Sequence, residues 1–306
     1  AITDEEEYSK KRNEILQAQW RNKAVTDTYD PGSTFKILTA SMALEEKAIT
    51  VDSTFYCPGY RMVEGWPQPI KCWYYPRAHG SQNLYQAIQN SCNPAFIDIG
   101  QAVGAKTFLG YYKAFGLDEP TGIDLPGEGE SIFHSEEQFL SNKVDLATAS
   151  FGQNFQISPL QLITAVSAVA NGGNLMKPYI VKEILDGDGN IVESTEPTVV
   201  RQVISEETSE LMCDILETVV SEGTGKNAYV AGYHIAGKTG TSEKKAKQAE
   251  TGRNDLRISS FIAFAPADDP QVAVLVILDE PTVQPVTGGI TAAPVIRRIM
   301  SDILPY

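Results

Sequence analysis

The chain has 306 residues, 42% hydrophobic and 21% charged, so it is long enough to bury a substantial core in one large or two modest domains. Its 25 Lys and Arg residues against 39 Asp and Glu residues give a formal net charge of −14. This balance argues against a nucleic-acid partner, because phosphate binding needs a basic surface. The sequence contains no apolar run of about 18 residues, so no membrane span is predicted.

The chain begins with a polar, charged segment. Residues 3–12 read T-D-E-E-E-Y-S-K-K-R, which predicts a surface helix or loop. We therefore expect residues 1–20 to form a polar lead segment and residues 21–306 to form the folded domain.

The first motif with a chemical interpretation is S-T-F-K at residues 33–36. Turn formers precede it at residues 30–32, and the apolar stretch over residues 34–44 predicts a buried helix. Residues three apart on a helix lie on the same side, so Lys36 would reach the Ser33 hydroxyl. A buried lysine can be neutral enough to activate a serine, which favours Ser33 as nucleophile and Lys36 as base. Alternatively, Ser33 caps the helix and Lys36 is solvated.

The second motif is S-C-N at residues 91–93, after an amphipathic stretch at residues 84–89. We expect a short connection between helices to present it. Ser91 could relay a proton between the lysine base and a leaving nitrogen, and the Asn93 amide could hold a substrate amide. The alternative is an ordinary Ser/Asn turn before a proline.

Helices and turns alternate through the middle of the chain. Residues 121–130 are dense in Gly, Pro and acids and predict a loop, and residues 158–170 predict a buried helix that ends at Asn-Gly-Gly. Residues 177–184 and 191–192 predict a β-hairpin around D-G-D-G-N. That turn is not a calcium loop, because no glutamate stands at the required distance.

The last third of the chain mixes helices and strands. An amphipathic helix is predicted over residues 205–220 and a strand over residues 238–242. Residues 258–265 and 271–278 have the pattern of an antiparallel hairpin, and residues 294–304 predict a closing helix. Strands with helices between them indicate an α/β or α+β core.

The third motif is K-T-G-T, on a predicted edge strand. Lys238, Thr239 and Thr241 offer a cation and two hydroxyls to a substrate carboxylate. Gly240 completes the expected binding strand, and the backbone N–H groups of Thr241 and Ser33 could stabilise an oxyanion. Each motif alone occurs by chance in chains of this length, but the ordered set of three predicts serine acyl transfer.

The ordered motifs resemble those of the transpeptidase domain of class B penicillin-binding proteins, over about residues 21–304. The resemblance includes further segments: R-N-K-A-V-T-D at 21–27, T-G-I-D-L-P-G-E at 121–128, G-Q-N at 152–154, S-P-L-Q at 158–161 and F-A-P at 264–266. It implies the α/β (α+β) fold shared by penicillin-binding proteins and serine β-lactamases. That fold has an antiparallel five-stranded sheet flanked by helices, an all-helical lobe, and the site between them.

The resemblance also implies a function. A D,D-transpeptidase of this family cross-links peptidoglycan stem peptides through an acyl-enzyme on Ser33, needs no cofactor for catalysis and is inhibited covalently by β-lactams. The catalytic residues would be Ser33, Lys36, Ser91 and Lys238, and the substrate-binding residues Asn93, Thr239, Gly240 and Thr241. The implied partners are stem peptides, β-lactams and a membrane glycosyltransferase.

Three alternative functions share the motifs. A D,D-carboxypeptidase would use water as acceptor in place of an amine. A β-lactamase would need a carboxylate base for hydrolysis, and the nearest pattern, Glu137 with Asn142, does not match in spacing or flanks. A non-catalytic β-lactam sensor would be acylated at the same serine without turnover.

The front of the chain departs from the family pattern. The family's domain opens with a strand before R-N-x-A-V-T-D, and nothing in residues 1–19 resembles it. We therefore expect a fragment from which the membrane anchor, the pedestal domain and that first strand are absent. The resemblance places the catalytic domain on the extracytoplasmic side of a bacterial cell membrane.

Cysteine and histidine residues cluster around an aromatic, proline-rich loop. Cys57 and Cys72 bracket this loop, and His79 follows shortly after. Two sulfurs and one imidazole are three zinc ligands, with Asp52 a candidate fourth, so the sequence favours a structural zinc ion beside the active site.

Two alternatives remain for these cysteines. A Cys57–Cys72 disulfide is plausible in a domain outside the cytoplasmic membrane, and both thiols could also be free. The other cysteines, Cys92 in the S-C-N motif and Cys213 on a predicted helix, are expected to be small buried hydrophobic residues.

Overall fold

The computed structural model describes residues 4–306 as helices and short antiparallel sheets. The α-helices are α1 (Glu5–Trp20), α2 (Lys23–Thr26), α3 (Lys36–Glu45), α4 (Leu84–Gln89), α5 (Asn93–Val103), α6 (Ala105–Ala114), α7 (Glu136–Ser141), α8 (Lys143–Ala149), α9 (Pro159–Ala170), α10 (Glu206–Ser221), α11 (Lys245–Thr251) and α12 (Ala293–Ile303).

The β-strands are β1 (Phe55–Cys57), β2 (Tyr60–Arg61), β3 (Ile70–Lys71), β4 (Gly80–Gln82), β5 (Asn174–Met176), β6 (Glu183–Leu185), β7 (Ile191–Ser194), β8 (Val199–Gln202), β9 (Ala236–Glu243), β10 (Arg257–Ala265) and β11 (Val272–Asp279). Short 3₁₀ turns occupy Gly32–Phe35 and Lys226–Ala228, and a π-helical turn occupies Gly288–Ala292.

Helix α1 is a surface helix, as predicted for this segment. The Asp4 side chain caps it by accepting from the N–H of Glu6 at 2.9 Å, and none of its residues is buried. Acids in its first turn complement the positive end of the helix dipole. Residue 3 of the predicted segment lies outside the described residues, and the division of the chain into residues 1–20 and 21–306 stays a prediction.

The largest sheet has the strand order β11-β10-β9, and all its strands are antiparallel. The family resemblance implied five strands, but in the described part of the chain this sheet has three. Residues 5–20 are rich in Glu, Lys, Arg, Gln and Ala, which are strong helix formers, so they form α1 and add no strand. Strand β9 lies at one edge of the sheet, as predicted for the K-T-G-T segment.

Helix α3 forms the centre of the main core. Its residues from Lys36 to Ala43 are all buried, and it packs against α5, α9 and α10. A helix that is apolar on every side needs such surroundings, because no face can be left to water. A second hydrophobic cluster joins α12 to the sheet through Phe261, Ile296 and Met300. Helices therefore cover the sheet and surround the segment that carries the first motif.

Most predicted elements are confirmed. Helix α4 has the predicted bounds, and α9 begins with a capping box in which Ser158 and Gln161 exchange hydrogen bonds. The predicted hairpin is formed by β6 and β7, although its first strand is shorter than expected. The sequence did not predict the pairing of β5 with β8, because strands of three and four residues are too short for a two-residue period to be recognised.

No helix between residues 4 and 306 combines the length and the apolar character that a bilayer crossing requires.

Candidate active site

The first motif lies on a tight turn that packs against β9. Gly32 adopts a φ of +58°, and its N–H donates to the carbonyl of Gly152 at 2.8 Å. A Cβ atom on Gly32 would lie 2.7 Å from the carbonyl oxygen of Thr241, so only glycine fits between the turn and the strand. The Thr34 hydroxyl donates to the carbonyl of Pro31 at 2.7 Å. The turn thereby places Ser33 at the start of α3 and beside the third motif.

Ser33 is partly exposed and its hydroxyl does not cap the turn or α3. The helix-cap alternative for Ser33 is therefore wrong. Among the described residues, the hydroxyl has no hydrogen-bond partner, and Lys36 directs its amine elsewhere. A serine hydroxyl on a tight turn that makes no hydrogen bond within the described fold is available to attack a substrate carbonyl.

Lys36 is fully buried, which contradicts the alternative of a solvated lysine. Its Nζ donates to Asn93 Oδ1 at 2.7 Å, to the Ser91 carbonyl at 2.8 Å and to Ser91 Oγ at 3.3 Å. Burial lowers the pKa of Lys36 to about 7, although the neighbouring Cys92 and Cys72 oppose the change. Lys36 can therefore exist as a neutral amine near pH 7.

Lys238 brings a second buried amine from β9 to the same place. Its Nζ donates to Ser91 Oγ at 2.9 Å and to the carbonyl and hydroxyl oxygens of Thr239, each at 3.2 Å. Burial and then the charge of Lys36 lower the pKa of Lys238 well below its ordinary value. Two amines this close cannot both hold a proton at low cost, so the pair favours one neutral member.

Ser91 lies between the two lysines. The backbone of Ser91 has a φ of +50°, in the left-handed region that residues other than glycine rarely adopt. Its hydroxyl lies 2.9 Å from Lys238 Nζ and 3.3 Å from Lys36 Nζ. This geometry connects both amines through one hydroxyl, which can accept a proton on one side and donate one on the other.

Strand β9 presents the remaining predicted residues along the edge of the sheet. The Thr239 hydroxyl lies 3.3 Å from that of Thr224, and Thr241 Oγ1 accepts from the N–H of Gly288 at 3.2 Å. A Cβ atom on Gly240 would overlap Ser260 Oγ, so glycine lets the strand lie close to its neighbours. The fold thus brings all eight predicted catalytic and substrate-binding residues into one region.

The predicted metal site gathers a different set of ligands. The ligand atoms of Cys57, Cys72, His79 and Cys92 all lie within 4.8 Å of one another. Asp52 is exposed and is not a member of this group, so its prediction as a ligand is wrong. Cys92 takes that place because the connection between α4 and α5 carries it toward the loop. The sequence did contain a signal for this ligand, because Cys92 is a further soft ligand within the S-C-N motif itself.

The sulfur atoms of this cluster interact directly. Cys72 Sγ lies 3.6 Å from His79 Nδ1, and hydrogen bonding from Cys92 and His79 lowers the pKa of Cys72. The structure records all four cysteines as free, with no Cys57–Cys72 bond. Cys213 is buried on α10 as expected, and burial raises the pKa of its thiol.

Comparison with known proteins gives a consistent result. The model of the family described as "penicillin binding protein transpeptidase domain" matches residues 1–301. The chain is 45% identical over 287 residues to stage V sporulation protein D of Bacillus subtilis. That alignment covers 93% of this chain and 43% of the relative. It is 30% identical over 304 residues to the peptidoglycan D,D-transpeptidase FtsI homologue of Mesostigma viride. That alignment covers 94% of this chain and 51% of the relative. The chain spans about half the length of the curated relatives it matches.

Solved structures with the same fold include two close matches. One is the D,D-transpeptidase domain of a peptidoglycan glycosyltransferase from Eggerthella lenta, with a TM-score of 0.82, 29% identity and coverage of 95% of this chain and 71% of that chain. The other is penicillin-binding protein 3 of Mycobacterium tuberculosis complexed with aztreonam, with a TM-score of 0.82 and 28% identity. The match covers 93% of this chain and 64% of that chain.

Proposed function

Because the chain belongs to the penicillin-binding protein transpeptidase domain family, we propose that it is a serine D,D-transpeptidase that cross-links peptidoglycan stem peptides. The observation that carries this proposal is the pair of buried lysines joined through Ser91 Oγ beside the Ser33 turn. The likeness to a penicillin-binding protein solved with aztreonam supports β-lactams as covalent inhibitors.

The acylation step begins with proton transfer. Neutral Lys36 accepts the Ser33 proton as Ser33 Oγ attacks the carbonyl of the penultimate D-Ala of a stem peptide. The negative charge that develops on the carbonyl oxygen is stabilised by the backbone N–H groups of Ser33 and Thr241. Collapse of this intermediate breaks the peptide bond, and the nitrogen of the departing D-Ala takes a proton that Ser91 relays from the lysine pair.

Transfer of the acyl group completes the reaction. An amine from a neighbouring stem peptide attacks the ester carbonyl, a new amide bond forms, and the ester bond to Ser33 breaks. The proton lost by the amine returns to Ser33 Oγ through Lys36, which restores the resting state. Acyl transfer by a serine requires no metal or other cofactor.

Substrate recognition uses the edge strand and the second motif. Asn93 Oδ1 accepts from Lys36, so its NH₂ group provides the donors to hold a substrate carbonyl. The hydroxyls of Thr239 and Thr241 bind the terminal carboxylate, and the positive potential of Lys238 lies behind them. Gly240 contributes indirectly, because it lets the strand pack closely against Ser260 and Thr34 and so positions Thr239 and Thr241.

The proposal is tested by intact-protein mass spectrometry after incubation with a penicillin, followed over hours. One persistent adduct on Ser33 is expected, and its rapid loss would identify a β-lactamase instead.

No carboxylate hydrogen-bonds to Lys36 or Lys238 in residues 4–306, which disfavours a hydrolytic base of the β-lactamase kind. A stem peptide supplied with an acceptor amine separates the remaining enzymes, because a carboxypeptidase would release only hydrolysed product. A sensor would convert neither peptide.

We further propose a structural zinc ion held by Cys57, Cys72, His79 and Cys92. Three thiolates and one imidazole match the composition of closed structural zinc sites, and the compact spacing of the four ligand atoms suits one small cation. Such an ion would organise the loop around it without taking part in acyl transfer. Elemental analysis of chelator-free protein should give close to one zinc per chain, with Asp52→Asn as the control that keeps it. A metal-free protein with a disulfide in its intact mass would contradict this site.

We also propose that this domain acts on the extracytoplasmic side of a bacterial membrane, with a membrane glycosyltransferase as partner. The similarity to proteins named as peptidoglycan D,D-transpeptidases supports a role in cell-wall synthesis. Crosslinking of the full-length protein in cells, followed by mass spectrometry of the captured partners, tests it. Recovery of only cytoplasmic proteins would contradict the assignment.

A further inference from the structure

A surface of exposed aromatic rings lies directly beside the S-C-N motif. The loop between β3 and β4 carries Trp73, which is 57% exposed, and Tyr75, which is 47% exposed. Trp73 Nε1 donates to the carbonyl of Asn90 at 2.8 Å, and Asn90 immediately precedes Ser91. One edge of the indole is therefore anchored to the catalytic segment while much of the ring remains in contact with water.

Neighbouring rings hold this surface in shape. The centroid of Trp73 lies 5.4 Å from that of Tyr74, and Tyr74 stacks on His79 with centroids 4.9 Å apart. Rings that are already held in place lose little conformational freedom when a ligand binds, so they give contact area at low entropic cost. Tyr74 also packs against the main hydrophobic core, so it anchors the exposed rings of Trp73 and Tyr75 beside it.

Two cations lie over the same rings. Lys71 Nζ is 4.8 Å from the ring centroid of Tyr75, and the guanidinium of Arg77 is 5.6 Å from that of Tyr74. Within residues 4–306, neither cation forms an ion pair with a carboxylate. In a chain with a formal net charge of −14, two such cations create a local positive potential. The surface therefore combines stacking faces with sites for acidic groups.

We propose that this ring surface, made of Lys71, Trp73, Tyr74, Tyr75 and Arg77, binds the N-acetylhexosamine glycan of the strand whose stem peptide is acylated. A sugar ring has an apolar face of C–H groups that stacks on Trp and Tyr, and its polar edge stays hydrated. The two cations would face carboxylates of the attached stem peptide. The inference rests on the proposed transpeptidase function, since it extends the substrate from the peptide to its glycan.

A glycan fits this surface better than a lipid bilayer does. Aromatic and basic residues together also occur on proteins that lie on membranes. However, the anchor of Trp73 lies one residue from Ser91, so a bilayer on these rings would obstruct the approach of a stem peptide to Ser91. A single sugar chain is narrow enough to lie on the rings while its peptide enters the cleft.

The test uses isothermal titration calorimetry with uncross-linked glycan strands, with and without stem peptides. The native chain should bind both, and the peptide-bearing strands more tightly. Trp73→Ala and Tyr75→Ala should each weaken binding of peptide-free strands by roughly tenfold. Trp20→Ala is the matched control, because that ring is also exposed, at 70%, but belongs to α1. Lys71→Met should retain the affinity for peptide-free strands and lose most of the gain from the peptides.

The outcomes separate this inference from the proposed function. Penicillin labelling of the same native preparation reports the function, and glycan binding reports the ring surface. Labelling without glycan binding would overturn the ring surface alone, whereas absence of labelling would overturn the function. Binding to phosphatidylglycerol vesicles in place of glycan would show a membrane interface and overturn the inference. If Trp73→Ala lowers the melting temperature or the metal content, the test rests on two other variants. Tyr75→Ala should still weaken glycan binding, whereas Trp73→Tyr keeps a stacking ring and should retain it.

Discussion

Two clusters share the S-C-N tripeptide: the lysine cluster of Lys36, Lys238, Ser91 and Asn93, and the sulfur cluster of Cys57, Cys72, His79 and Cys92. Burial disfavours the charged form in both, but only in the sulfur cluster do hydrogen bonds outweigh it. Ser91 and Asn93 contact the buried lysines, while Cys92 between them joins Cys72 and the other sulfur ligands. Desolvation in the first cluster removes charge from Lys36, and hydrogen bonding in the second keeps charge on Cys72. Neighbouring residues in the sequence therefore serve different chemistry, because their side chains enter different environments.

The comparison shows that burial by itself does not decide protonation. In the first cluster the partners of the amines are hydroxyl, amide and carbonyl oxygens, and these do not restore the hydration that an ammonium loses on burial. In the second, hydrogen bonding with Cys92 and His79 lowers the pKa of Cys72, which favours its charged form. Because both clusters hold the S-C-N segment, disturbance of either should be detectable in the other, and the predictions below separate their contributions.

The largest effect is expected from the nucleophile and its base. Ser33→Ala should abolish covalent labelling by a fluorescent penicillin, because no other group provides the attacking oxygen. Lys36→Ala should slow acylation by about 10²–10⁴-fold, the usual cost of losing a general base. Both are measured as second-order labelling rates. Unchanged labelling of Ser33→Ala would show that the lysine cluster is not the catalytic region.

Lowering the pH should produce the next largest effect. Only neutral Lys36 can accept the Ser33 proton, and burial lowers the pKa of Lys36 to about 7. Protonation below that pH removes the base, so acylation should fall by about tenfold per pH unit below pH 7 and level off above it. Stopped-flow acylation between pH 5 and 9 measures this profile. A flat profile would mean that Lys36 does not act as the base.

A smaller effect is expected at the edge of β9. Thr241→Val removes a hydroxyl that the proposal places on the substrate carboxylate, so acylation should slow by roughly tenfold or more. The N–H of Gly288 would lose its acceptor, which should cost about 1 kcal/mol of unfolding free energy. Thr241→Ser keeps the hydroxyl and serves as the control for both measurements. A loss of stability without slower acylation would make Thr241 purely structural.

The smallest effect on catalysis is expected from the sulfur cluster. If the proposed zinc site is correct, Cys92→Ser should abolish zinc binding and lower the melting temperature, while acylation slows only through displacement of the S-C-N segment. Cys213→Ser is the matched control, because Cys213 is buried on α10 outside the cluster. Elemental analysis, thermal unfolding and labelling rates measure the three responses. Equal metal content in both variants would remove Cys92 from the ligand set.

Local patterns accounted for much of the fold. Helices α4, α9 and α10 were predicted with bounds close to those observed, because apolar periodicity and capping residues such as Ser158 and Ser205 act within a few residues. The pairing of β5 with β8 was missed, because strands of three and four residues carry no recognisable two-residue period. The expected five-stranded sheet came from the resemblance alone, and the helix-forming composition of residues 5–20 did not support an additional strand.

The sequence by itself predicted which eight residues the fold brings together around Ser91, because each motif is a short pattern whose chemistry is suggested by residue type and spacing. It also identified three of the four sulfur-cluster residues. Only the tertiary structure decided that Cys92 and not Asp52 completes that cluster, and that Lys36 and Lys238 share Ser91. Desolvation and contacts between distant segments depend on how α3, β9 and the connection between α4 and α5 pack together. No local pattern encodes that packing, and so none could have predicted that Lys238 is buried beside Lys36 and shares Ser91 with it.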